Sequence, residues 1–481
     1  MISIPQKLLY LTLILLCTTS TLHSQISFQV TLKDSTYDNM VYDAIELSNG
    51  QFIIVGMRIL QPGIYAANIM KIDAYGNLLH QNILRFNGNS SRLLSIIQLS
   101  EDQFVLSGVT YPGTAGNIWI CVMDSSLNVI AQKSYILGTY SLYSSKMKLD
   151  YQNNILVFGR IDSLGTPYSF IFKLTPDMDS IYCRIYDEQW SIGQDLIERS
   201  DHKGYYFLAI GFNLGSGKIL SLDPDFNIEK ITILNDEIGD HGTLKLFNST
   251  HFMVCALKAP TNSMSYKIGV QLYDTTFNLI HYSYYGKTDT SEYPALIKSL
   301  DFSDPLSVFI GGTSNMFQYE FVRADNWYRL NNIDTAFNLK WERFYGGDGC
   351  YALYGILATH DGGCLMYGTL WDYHNNPDYT RYLRLIKVSK DGLLSDENGK
   401  PGVKAQEVIL YPNPGTDRII VESALKNLIV SFFDMTGNCV VKKSIQSTVE
   451  SLDVSELSTG IYFYQVKCGD KVVESGKWIR E

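Results

Sequence analysis

The stretch that decides the fold begins Ala44-Ile-Glu-Leu-Ser-Asn-Gly-Gln-Phe-Ile-Ile-Val-Gly56 and continues as Ile69-Met-Lys-Ile-Asp-Ala-Tyr-Gly-Asn-Leu-Leu79. Its first part is an alternating run, an Asn-Gly turn and a second apolar run that ends in Gly, which is the pattern of a β-hairpin. Its second part is a third strand, a tight turn with Gly and the start of a fourth strand. The unit is therefore predicted to be four short antiparallel strands without a helix.

The unit recurs along the chain at a nearly constant spacing. Its marker is the residue that closes the second strand, and successive markers are 52, 51, 52, 45, 56 and 56 residues apart. The markers are Gly56, Gly108, Gly159, Gly211, Ala256, Gly312 and Gly368. A period of about 50 residues with four strands per unit is typical of β-propeller blades. The chain is therefore predicted to be all-β, with a seven-bladed β-propeller at residues 25–394.

In five of the units, a turn with Asp at its first position and Asn at its fifth follows the third strand. The pairs are Asp73 and Asn77, Asp124 and Asn128, Asp223 and Asn227, Asp274 and Asn278, and Asp334 and Asn338. These residue types suit tight turns because their side chains bond neighbouring backbone groups. A calcium site needs several convergent carboxylates, and each copy offers one or two. We therefore predict turns here and no metal ligands.

The N-terminal segment and the last unit are predicted to complete one another. One alternating strand, residues 26–32, precedes the first complete unit, and the seventh unit lacks a fourth strand of its own. Left apart, each would expose a row of unpaired backbone groups. We therefore expect residues 26–32 to be the outermost strand of the seventh blade, antiparallel to residues 382–389.

Residues 1–24 have the pattern of a secretory signal peptide. Lys7 precedes an apolar run at residues 8–16, which is too short to cross a bilayer as a mature helix. No transmembrane span is predicted elsewhere. The chain of 481 residues has a net charge of −10 and a pI of about 5.4. This balance argues against nucleic acid or an anionic membrane as a partner.

The eight cysteines do not indicate a metal or redox site, because none forms a Cys-x-x-Cys pair. Cys350 and Cys364 flank one predicted hairpin, in which Cys364 faces Ala358. At about 3.3 Å per residue, Cys350 then lies roughly 26 Å away along the strand, too far for a disulfide. Buried free thiols are predicted for most of the cysteines, including Cys121 and Cys255.

Residues 407–481 follow a polar linker at 395–406, and their short strands and turns predict a small β-sandwich. The segment resembles the C-terminal sorting domain, type A, of Bacteroidota proteins that use the type IX secretion system. The matching residues are Tyr411, Pro412, Asn413, Pro414, Asp417, Asp434, Gly437, Gly460, Tyr462 and Lys477. The resemblance implies an immunoglobulin-like fold for this segment.

The same resemblance implies partners and a destination. Cargo of this family crosses the inner membrane by the Sec route and is then read by the outer-membrane translocon. A sortase-like protease commonly removes the sorting domain as the cargo is anchored to surface lipopolysaccharide or released. The implied location is therefore secreted or cell-surface, anchored to the outer membrane after sorting.

No motif for catalysis stands out in the sequence. Gly-x-Ser-x-Gly, His-Glu-x-x-His, P-loop and dinucleotide-binding motifs are all missing, and no catalytic residue, metal ligand or cofactor is predicted. The long insertion at residues 370–381 has aromatic residues beside aspartates, a composition that suits sugar stacking. The candidate ligand contacts are Trp371, Tyr373, His374 and Tyr379. The alternative is that these aromatic residues pack on one another.

The sequence predicts a binding protein more strongly than an enzyme. The first hypothesis is a non-enzymatic, secreted or surface-displayed propeller that binds a glycan or a protein. The second is an extracellular hydrolase or lyase that acts on polysaccharide or peptide at the propeller mouth. The third is a structural adhesin or spacer. The lack of paired acid and base motifs favours the first.

Overall fold

The structure is a computed structural model of the chain. It describes residues 26–33, 38–186, 191–211, 216–235, 238–259, 265–287, 290–316, 323–376, 378–394, 408–411, 415–423, 427–447, 449–469 and 471–481. The chain divides into two compact units, Met1–Glu397 (unit 1) and Asn398–Glu481 (unit 2). The predicted signal peptide at 1–24 and the predicted linker at 395–406 lie outside the described residues.

The described residues of unit 1 form seven antiparallel sheets, numbered here in chain order. The first strand of the chain is β1 (Phe28–Leu32), which belongs to the last sheet. Sheet 1 contains β2 (Asn39–Glu46), β3 (Phe52–Gln61), β4 (Ile64–Ile72) and β5 (Leu78–Leu84). After a 3₁₀ turn (Phe86–Gly88), sheet 2 contains β6 (Ser90–Ser100), β7 (Gln103–Tyr111), β8 (Asn117–Asp124) and β9 (Val129–Tyr135).

The next three sheets repeat this order. Sheet 3 contains β10 (Ser141–Leu149), β11 (Ile155–Ser163), β12 (Thr166–Leu174) and β13 (Ser180–Tyr186). Sheet 4 contains β14 (Ser191–Glu198), β15 (Tyr205–Gly211), β16 (Lys218–Leu222) and β17 (Ile228–Ile233). Sheet 5 contains β18 (Thr243–Asn248), β19 (His251–Lys258), β20 (Lys267–Asp274) and β21 (Leu279–Tyr285).

Sheets 6 and 7 depart from the four-strand unit in different ways. Sheet 6 contains β22 (Glu292–Pro294), β23 (Leu300–Asp301), β24 (Val308–Ser314), β25 (Trp327–Ile333) and β26 (Leu339–Gly346). Its first strand is split, because the residues between Pro294 and Leu300 leave the ladder and bond to sheet 7 through Leu296 N and Ile297 N. Sheet 7 contains β27 (Cys350–Ala358), β28 (Cys364–Trp371) and β29 (Tyr382–Val388), with β1 at its edge.

The seven sheets contact one another in a closed cycle. Each sheet packs against the next in the chain, and sheet 7 packs against sheet 1 through β2. A cluster of buried apolar residues lies at each of the seven contacts, as between Phe52 of sheet 1 and Leu365 of sheet 7. Burial between neighbouring sheets is therefore what holds unit 1 together.

The predicted pairing of the N-terminal strand is confirmed. Strand β1 runs antiparallel to β29, from Phe28 opposite Lys387 to Leu32 opposite Leu383. The Lys387 ammonium also donates to the Ile26 carbonyl at 2.6 Å. Close by, the buried Asp38 and Arg381 side chains form an ion pair of 2.7 Å.

The repeated glycine has a steric reason. In sheet 2, Gly108 pairs with Leu93 just before a β-bulge, and a Cβ atom on Gly108 would lie 2.0 Å from the Arg92 carbonyl oxygen. The corresponding distances are 1.9 Å at Gly56 and 2.1 Å at Gly368. Alanine is accommodated at position 256, because β18 begins only at Thr243, opposite Cys255.

The predicted turns are confirmed as turns. In the first, Asp73 Oδ1 accepts the Asn77 backbone N–H at 2.8 Å, and the Asn77 amide donates to Asp73 Oδ2 at 2.7 Å. The same pair of bonds recurs at the other four predicted turns. Each carboxylate is thus occupied by its own turn.

The cysteine geometry of the predicted hairpin is also confirmed. Cys364 lies opposite Ala358, and Cys350 lies opposite Trp371 at the far end of the same pair of strands. The thiols of Cys121, Cys255 and Cys364 are free and buried, and Cys350 is buried as well. Burial raises the pKa of Cys121 and of Cys255 to about 12, so both thiols stay protonated at neutral pH.

Unit 2 consists of two antiparallel sheets with a shared core. One contains β30 (Val408–Tyr411), β31 (Arg418–Ser423) and β34 (Val449–Asp453), and the other contains β32 (Leu428–Phe433), β33 (Cys439–Ile445), β35 (Gly460–Cys468) and β36 (Lys471–Arg480). Ile419 and Leu452 of the first sheet pack with Phe432 and Trp478 of the second. The indole of Trp478 is fully buried.

Candidate functional site

A cavity of about 470 Å³ lies among the first strands of the sheets of unit 1. All seven sheets, or the segments that lead into them, contribute to its lining. One residue from each, in sheet order, is Tyr42, Arg92, Lys146, Gln194, His241, Ile297 and Tyr354. A volume of this size is in the range of small-ligand sites. The cavity is therefore the candidate functional site.

Bulged residues of the first strands form much of the lining. In sheets 1, 2, 3, 4 and 7, the register of the first strand shifts by one residue beside the cavity, which leaves one residue there without a partner opposite it. These extra residues are Tyr42, Leu94, Tyr143, Gln194 and Tyr354, and all of them line the cavity. A β-bulge re-aims a side chain that a regular strand would direct elsewhere. In sheets 1, 2 and 7, this bulge directly follows the residue opposite the repeated glycine, so the repeat and the site share one feature there.

Arg92 brings a positive charge to the cavity wall. One guanidinium nitrogen, Nη2, donates to the Tyr143 carbonyl at 2.6 Å, and the Tyr111 ring centre is 6.0 Å from the guanidinium carbon. Nε is buried and has no hydrogen-bond partner. The described residues place no carboxylate within ion-pair distance of Arg92. Its electrostatic neighbours are instead the tyrosines Tyr42, Tyr111 and Tyr143.

Lys146 brings a second positive charge. Its ammonium donates to the Ile297 carbonyl at 2.6 Å, so it reaches from sheet 3 to the split strand of sheet 6. Burial lowers the pKa of Lys146 to about 8, although the charges of Asp195 and Asp43 oppose the shift. An ammonium has three donor hydrogens. Its one hydrogen bond within the described residues leaves two of them for a ligand.

The other ionisable groups in the lining lie next to partners. Arg160 forms a two-pronged ion pair with Asp162, at 2.6 and 2.8 Å, and stacks over the Tyr143 ring at 4.0 Å. Asp240 lies next to His241, whose Nε2 is 3.7 Å from Asp240 Oδ2. His241 Nδ1 lies 3.2 Å from the Leu296 carbonyl oxygen. Within the described residues, Arg92 and Lys146 are thus the cations of the lining that form no ion pair, although the charges of Asp195 and Asp43 act on Lys146 from further away.

Three buried aspartates near the cavity connect neighbouring sheets. Asp43 of sheet 1 accepts from Ser95 Oγ at 2.9 Å and from the Ile96 N–H at 3.1 Å, both in sheet 2. Asp195 of sheet 4 accepts the Leu244 N–H of sheet 5 at 2.9 Å. A buried carboxylate is stable when backbone donors satisfy it. These groups are thus occupied in structural contacts.

The third aspartate, Asp301, also forms ion pairs with two lysines. It accepts the Ala358 N–H of sheet 7 at 3.0 Å and forms ion pairs with Lys245 and with Lys298, the latter at 2.9 Å. Burial alone would raise its pKa, but the two ammonium groups lower it to about 2. Asp301 is therefore ionised at any pH where the protein functions, and it cannot serve as a proton donor.

The four predicted ligand contacts lie together, away from the cavity lining. Trp371 is 5% exposed, and its indole N–H donates to the carbonyls of Asn376 and Asp378 at 3.2 and 3.1 Å. The Tyr379 ring packs edge-on against it at 4.7 Å between ring centres. The aromatic residues of this insertion therefore pack on one another, as the alternative interpretation of the sequence has it.

Tyr373 and His374 are the more accessible members of this group. The Tyr373 hydroxyl donates to Asp325 Oδ1 at 2.9 Å, and His374 Nε2 lies 2.7 Å from the same oxygen. The two rings are 4.2 Å apart between centres. Tyr373 is half-buried and His374 is exposed. They form a small polar and aromatic surface on sheet 7.

The sorting residues of unit 2 lie mainly in turns and at strand ends. Asp434 accepts from the backbone of Asn438 at 2.9 Å, across the turn that contains Gly437. The Tyr462 hydroxyl donates to the Ser458 carbonyl at 2.8 Å. Arg480 donates a hydrogen bond to Asp417 at 3.1 Å. Gly460 begins β35, Tyr411 ends β30, and Lys477 is exposed. Pro412, Asn413 and Pro414 lie outside the described residues.

Sequence reasoning missed the cavity residues, although a signal for them was present. In sheets 1, 2 and 7, the residue after the partner of the repeated glycine is the bulged one, as Tyr42 follows Val41 opposite Gly56. A charged residue on the first strand, such as Arg92 on β6 and Lys146 on β10, is the second signal. Within the described residues, no group of three or more His, Cys, Asp or Glu side chains could hold a metal ion.

These features define a class of protein. Unit 1 is built from consecutive antiparallel sheets around a cavity, and unit 2 is a separate all-β domain. Residues 409–481 match the family described as a secretion system C-terminal sorting domain. The chain is therefore a secreted substrate of the type IX secretion system, and it is anchored at the outer membrane after sorting. None of the helical segments described is long and apolar enough to span a bilayer.

Among curated proteins, the chain is similar to the funoran endo-beta-hydrolase of Wenyingzhuangia aestuarii. The identity is 21% over 168 residues, which cover 33% of this chain and 21% of the relative. The chain thus spans about a fifth of the length of that relative. The sorting segment, residues 409–481, is less than half as long as the part of this chain that the match covers. Part of the match therefore lies in unit 1.

Solved structures resemble the chain distantly. The hydrazine synthase of Kuenenia stuttgartiensis matches with a TM-score of 0.48 and 9% identity, over 75% of this chain and 99% of that one. The polysaccharide lyase Uly1 matches with a TM-score of 0.43 and 9% identity, over 74% and 91%. At these TM-scores, the likenesses carry no statement about the function of this chain.

Proposed function

We propose that unit 1 is a seven-bladed β-propeller that binds a glycan in its central cavity. The observation that carries this proposal is that every sheet contributes to one cavity of about 470 Å³. Its wall combines tyrosines, Tyr42, Tyr143 and Tyr354, with charged groups that are free to bind a ligand. Aromatic faces with a few polar groups are what a sugar needs.

A glycan is favoured over a protein ligand by shape and by resemblance. A concave site of this volume holds one or two sugar units, whereas protein interfaces are mostly broad surfaces of about 800 Å² per partner. The similarity in unit 1 to a protein named for hydrolysing funoran supports a carbohydrate ligand as well.

Hydrolysis or lysis of a glycan at the same cavity is the second candidate. It is favoured by the neighbouring Asp240 and His241, which are groups able to transfer protons. Most glycosidases, however, use two carboxylates about 5 to 9.5 Å apart. Among the described residues of the lining, Asp240 is the only carboxylate. Binding without cleavage is therefore the better-supported function.

The test combines a glycan array with a cleavage assay on the purified protein. We expect binding to particular glycans without new reducing ends or unsaturated products. If the protein binds no glycan on the array, the proposal is wrong. If it cleaves the glycans that it binds, and Asp240→Asn abolishes cleavage without unfolding the protein, the second candidate replaces the first.

We further propose that unit 2 is an immunoglobulin-like sorting domain of type A from the Bacteroidota. Its shared core of two antiparallel sheets supports that fold. A sortase-like protease would then remove unit 2 at the surface. Mass spectrometry of the surface-exposed protein should show a C-terminus before residue 407, and an intact C-terminus at Glu481 would oppose the proposal.

A further inference from the structure

We infer that the cavity selects a glycan by an acidic group, a carboxylate or a sulfate, which Arg92 and Lys146 bind together. This inference rests on the proposed glycan binding and adds the chemical class of the ligand. It comes from the charges of the lining rather than from any resemblance.

Neither of these two cations is paired with a carboxylate, although the charges of Asp195 and Asp43 act on Lys146 from further away. The described residues place no carboxylate within ion-pair distance of Arg92 or Lys146, whereas Arg160 in the same wall is fully paired with Asp162. A cation removed from water without a partner is costly, so such a pair of cations is commonly completed by a ligand.

Arg92 and Lys146 both have hydrogen-bond donors that an acidic group can use. Arg92 Nε is buried without a partner, and Arg92 Nη2 is held in place by the Tyr143 carbonyl at 2.6 Å. Lys146 is held by the Ile297 carbonyl at 2.6 Å and has donors to spare. Guanidinium and ammonium donors bind carboxylate and sulfate oxygens through short, charge-assisted hydrogen bonds.

The aromatic residues beside the two cations favour an acidic group that belongs to a sugar over a free ion. The two cations lie in a wall with Tyr42, Tyr143 and Tyr354, whose rings offer apolar surface to a pyranose. A small inorganic ion would leave most of the cavity unfilled. An acidic sugar residue would occupy both the charged and the aromatic parts of the wall.

The experiment measures binding by isothermal titration calorimetry with three probes: polygalacturonate, a sulfated galactan and a neutral galactan. The variants are Arg92→Gln, Lys146→Gln and the charge-retaining Arg92→Lys, with the exposed Lys203→Gln as the matched control. We expect wild type to bind one acidic probe at least tenfold more tightly than the neutral one. Each cavity variant to Gln should lose about tenfold, Arg92→Lys less, and Lys203→Gln nothing.

The outcomes separate the two proposals. Equal binding of acidic and neutral probes, unaffected by the cavity variants, would overturn the acidic-group inference and leave glycan binding intact. If no polymer binds, the proposed glycan binding is wrong. The acidic-group inference is then tested by measuring whether galacturonate or galactose 6-sulfate raises the melting temperature of the protein. A shift that Arg92→Gln removes supports the anion site, and no shift overturns it. Melting curves of each variant show that loss of binding is not loss of fold, and Arg92→Lys serves if Arg92→Gln unfolds.

Discussion

Gly108 lies opposite Leu93, and a Cβ atom on Gly108 would lie 2.0 Å from the carbonyl oxygen of Arg92. The glycine that defines the sequence repeat is thus in contact with the backbone of a cavity residue. The bulge after Leu93 is compatible with the ladder only if position 108 has no side chain. In sheet 2, as in sheets 1 and 7, the glycine of the repeat and a residue of the cavity lining therefore belong to the same bulge.

The first prediction tests this relationship. Gly108→Ala should lower the free energy of unfolding by about 2 kcal/mol, because the new methyl group must displace backbone in a packed interior. The measurement is chemical denaturation followed by circular dichroism. Gly113→Ala is the matched control, since a Cβ atom there meets nothing within 4 Å. Equal stability of the two variants would show that the bulge can relax and that the steric account is wrong.

The second prediction concerns the N-terminal strand. Phe28 is buried at the contact of sheets 1 and 7, and its ring centre is 6.2 Å from that of Phe52. Phe28→Ala should destabilise the protein by about 3 kcal/mol, because it leaves a cavity between the first and last sheets. Gln29→Ala, on the exposed face of the same strand, should cost much less. A melting temperature that Phe28→Ala leaves unchanged would contradict closure of the cycle by β1.

The third prediction is a pH dependence of binding. Because burial lowers the pKa of Lys146 to about 8, its ammonium loses its charge at a pH where ordinary lysines keep theirs. Affinity for the acidic probe should fall as the pH rises from about 7 to 9, and Lys146→Gln should remove this dependence. The nearby charges are Asp195, Lys148, Asp43 and Lys298. The same slope in wild type and variant would assign the titration to another group.

The corresponding effect on stability has the opposite direction. A lowered pKa means that folded Lys146 holds its proton less tightly than the unfolded chain does. Its contribution therefore opposes folding fully below pH 8, and this opposition is relieved as the pH rises above 8 towards the usual lysine range. The free energy of unfolding should rise with pH more in wild type than in Lys146→Gln over that window. Identical profiles would show that Lys146 is not desolvated.

The fourth prediction separates the two aromatic roles in the insertion of sheet 7. Trp371→Ala should lower the melting temperature, because the indole is buried and bonds two carbonyls. Tyr373→Ala should leave the fold intact and, if this surface contacts the glycan, weaken binding by about 1 kcal/mol. The exposed Tyr75→Ala is the control. Unchanged affinity of Tyr373→Ala would remove the insertion from the binding site.

The fifth prediction concerns export. Removal of residues 407–481 should trap the protein in the periplasm, because the match to the sorting family lies there. Cell fractionation and immunoblotting provide the measurement, with the full chain as control. Normal surface or medium levels of the truncated protein would contradict the assignment of unit 2.

Regular features were predictable from the sequence, and irregular ones were not. The glycine period, the Asp73 to Asn77 type of turn and the pairing of β1 follow from local patterns that repeat. The cavity residues lie at register shifts, where the alternation of strand faces breaks, so Tyr42 and Tyr143 looked like ordinary strand residues. Lys146 of sheet 3 bonds Ile297 of sheet 6, which is 151 residues away in the chain, and no local pattern reports such a contact.

The aromatic insertion at residues 370–381 stands out in the sequence, but its packing is visible only in the structure. Trp371 and Tyr379 are predicted ligand contacts because long loops in a compact fold are often functional. In the structure, the Trp371 indole N–H is engaged by carbonyls of its own loop, and the two rings pack edge-on. Composition alone does not distinguish a loop that stacks on sugars from one that stacks on itself.

A crystal structure of the protein with an acidic oligosaccharide, chosen as the tightest binder in calorimetry, tests whether the cavity is the binding site. We predict that the sugar lies in the cavity, with its carboxylate or sulfate oxygens within hydrogen-bond distance of Arg92 and Lys146 and a pyranose face against a tyrosine of the wall. An oligosaccharide bound at the insertion of sheet 7 or on the outer strands, with the cavity empty, would contradict the proposal.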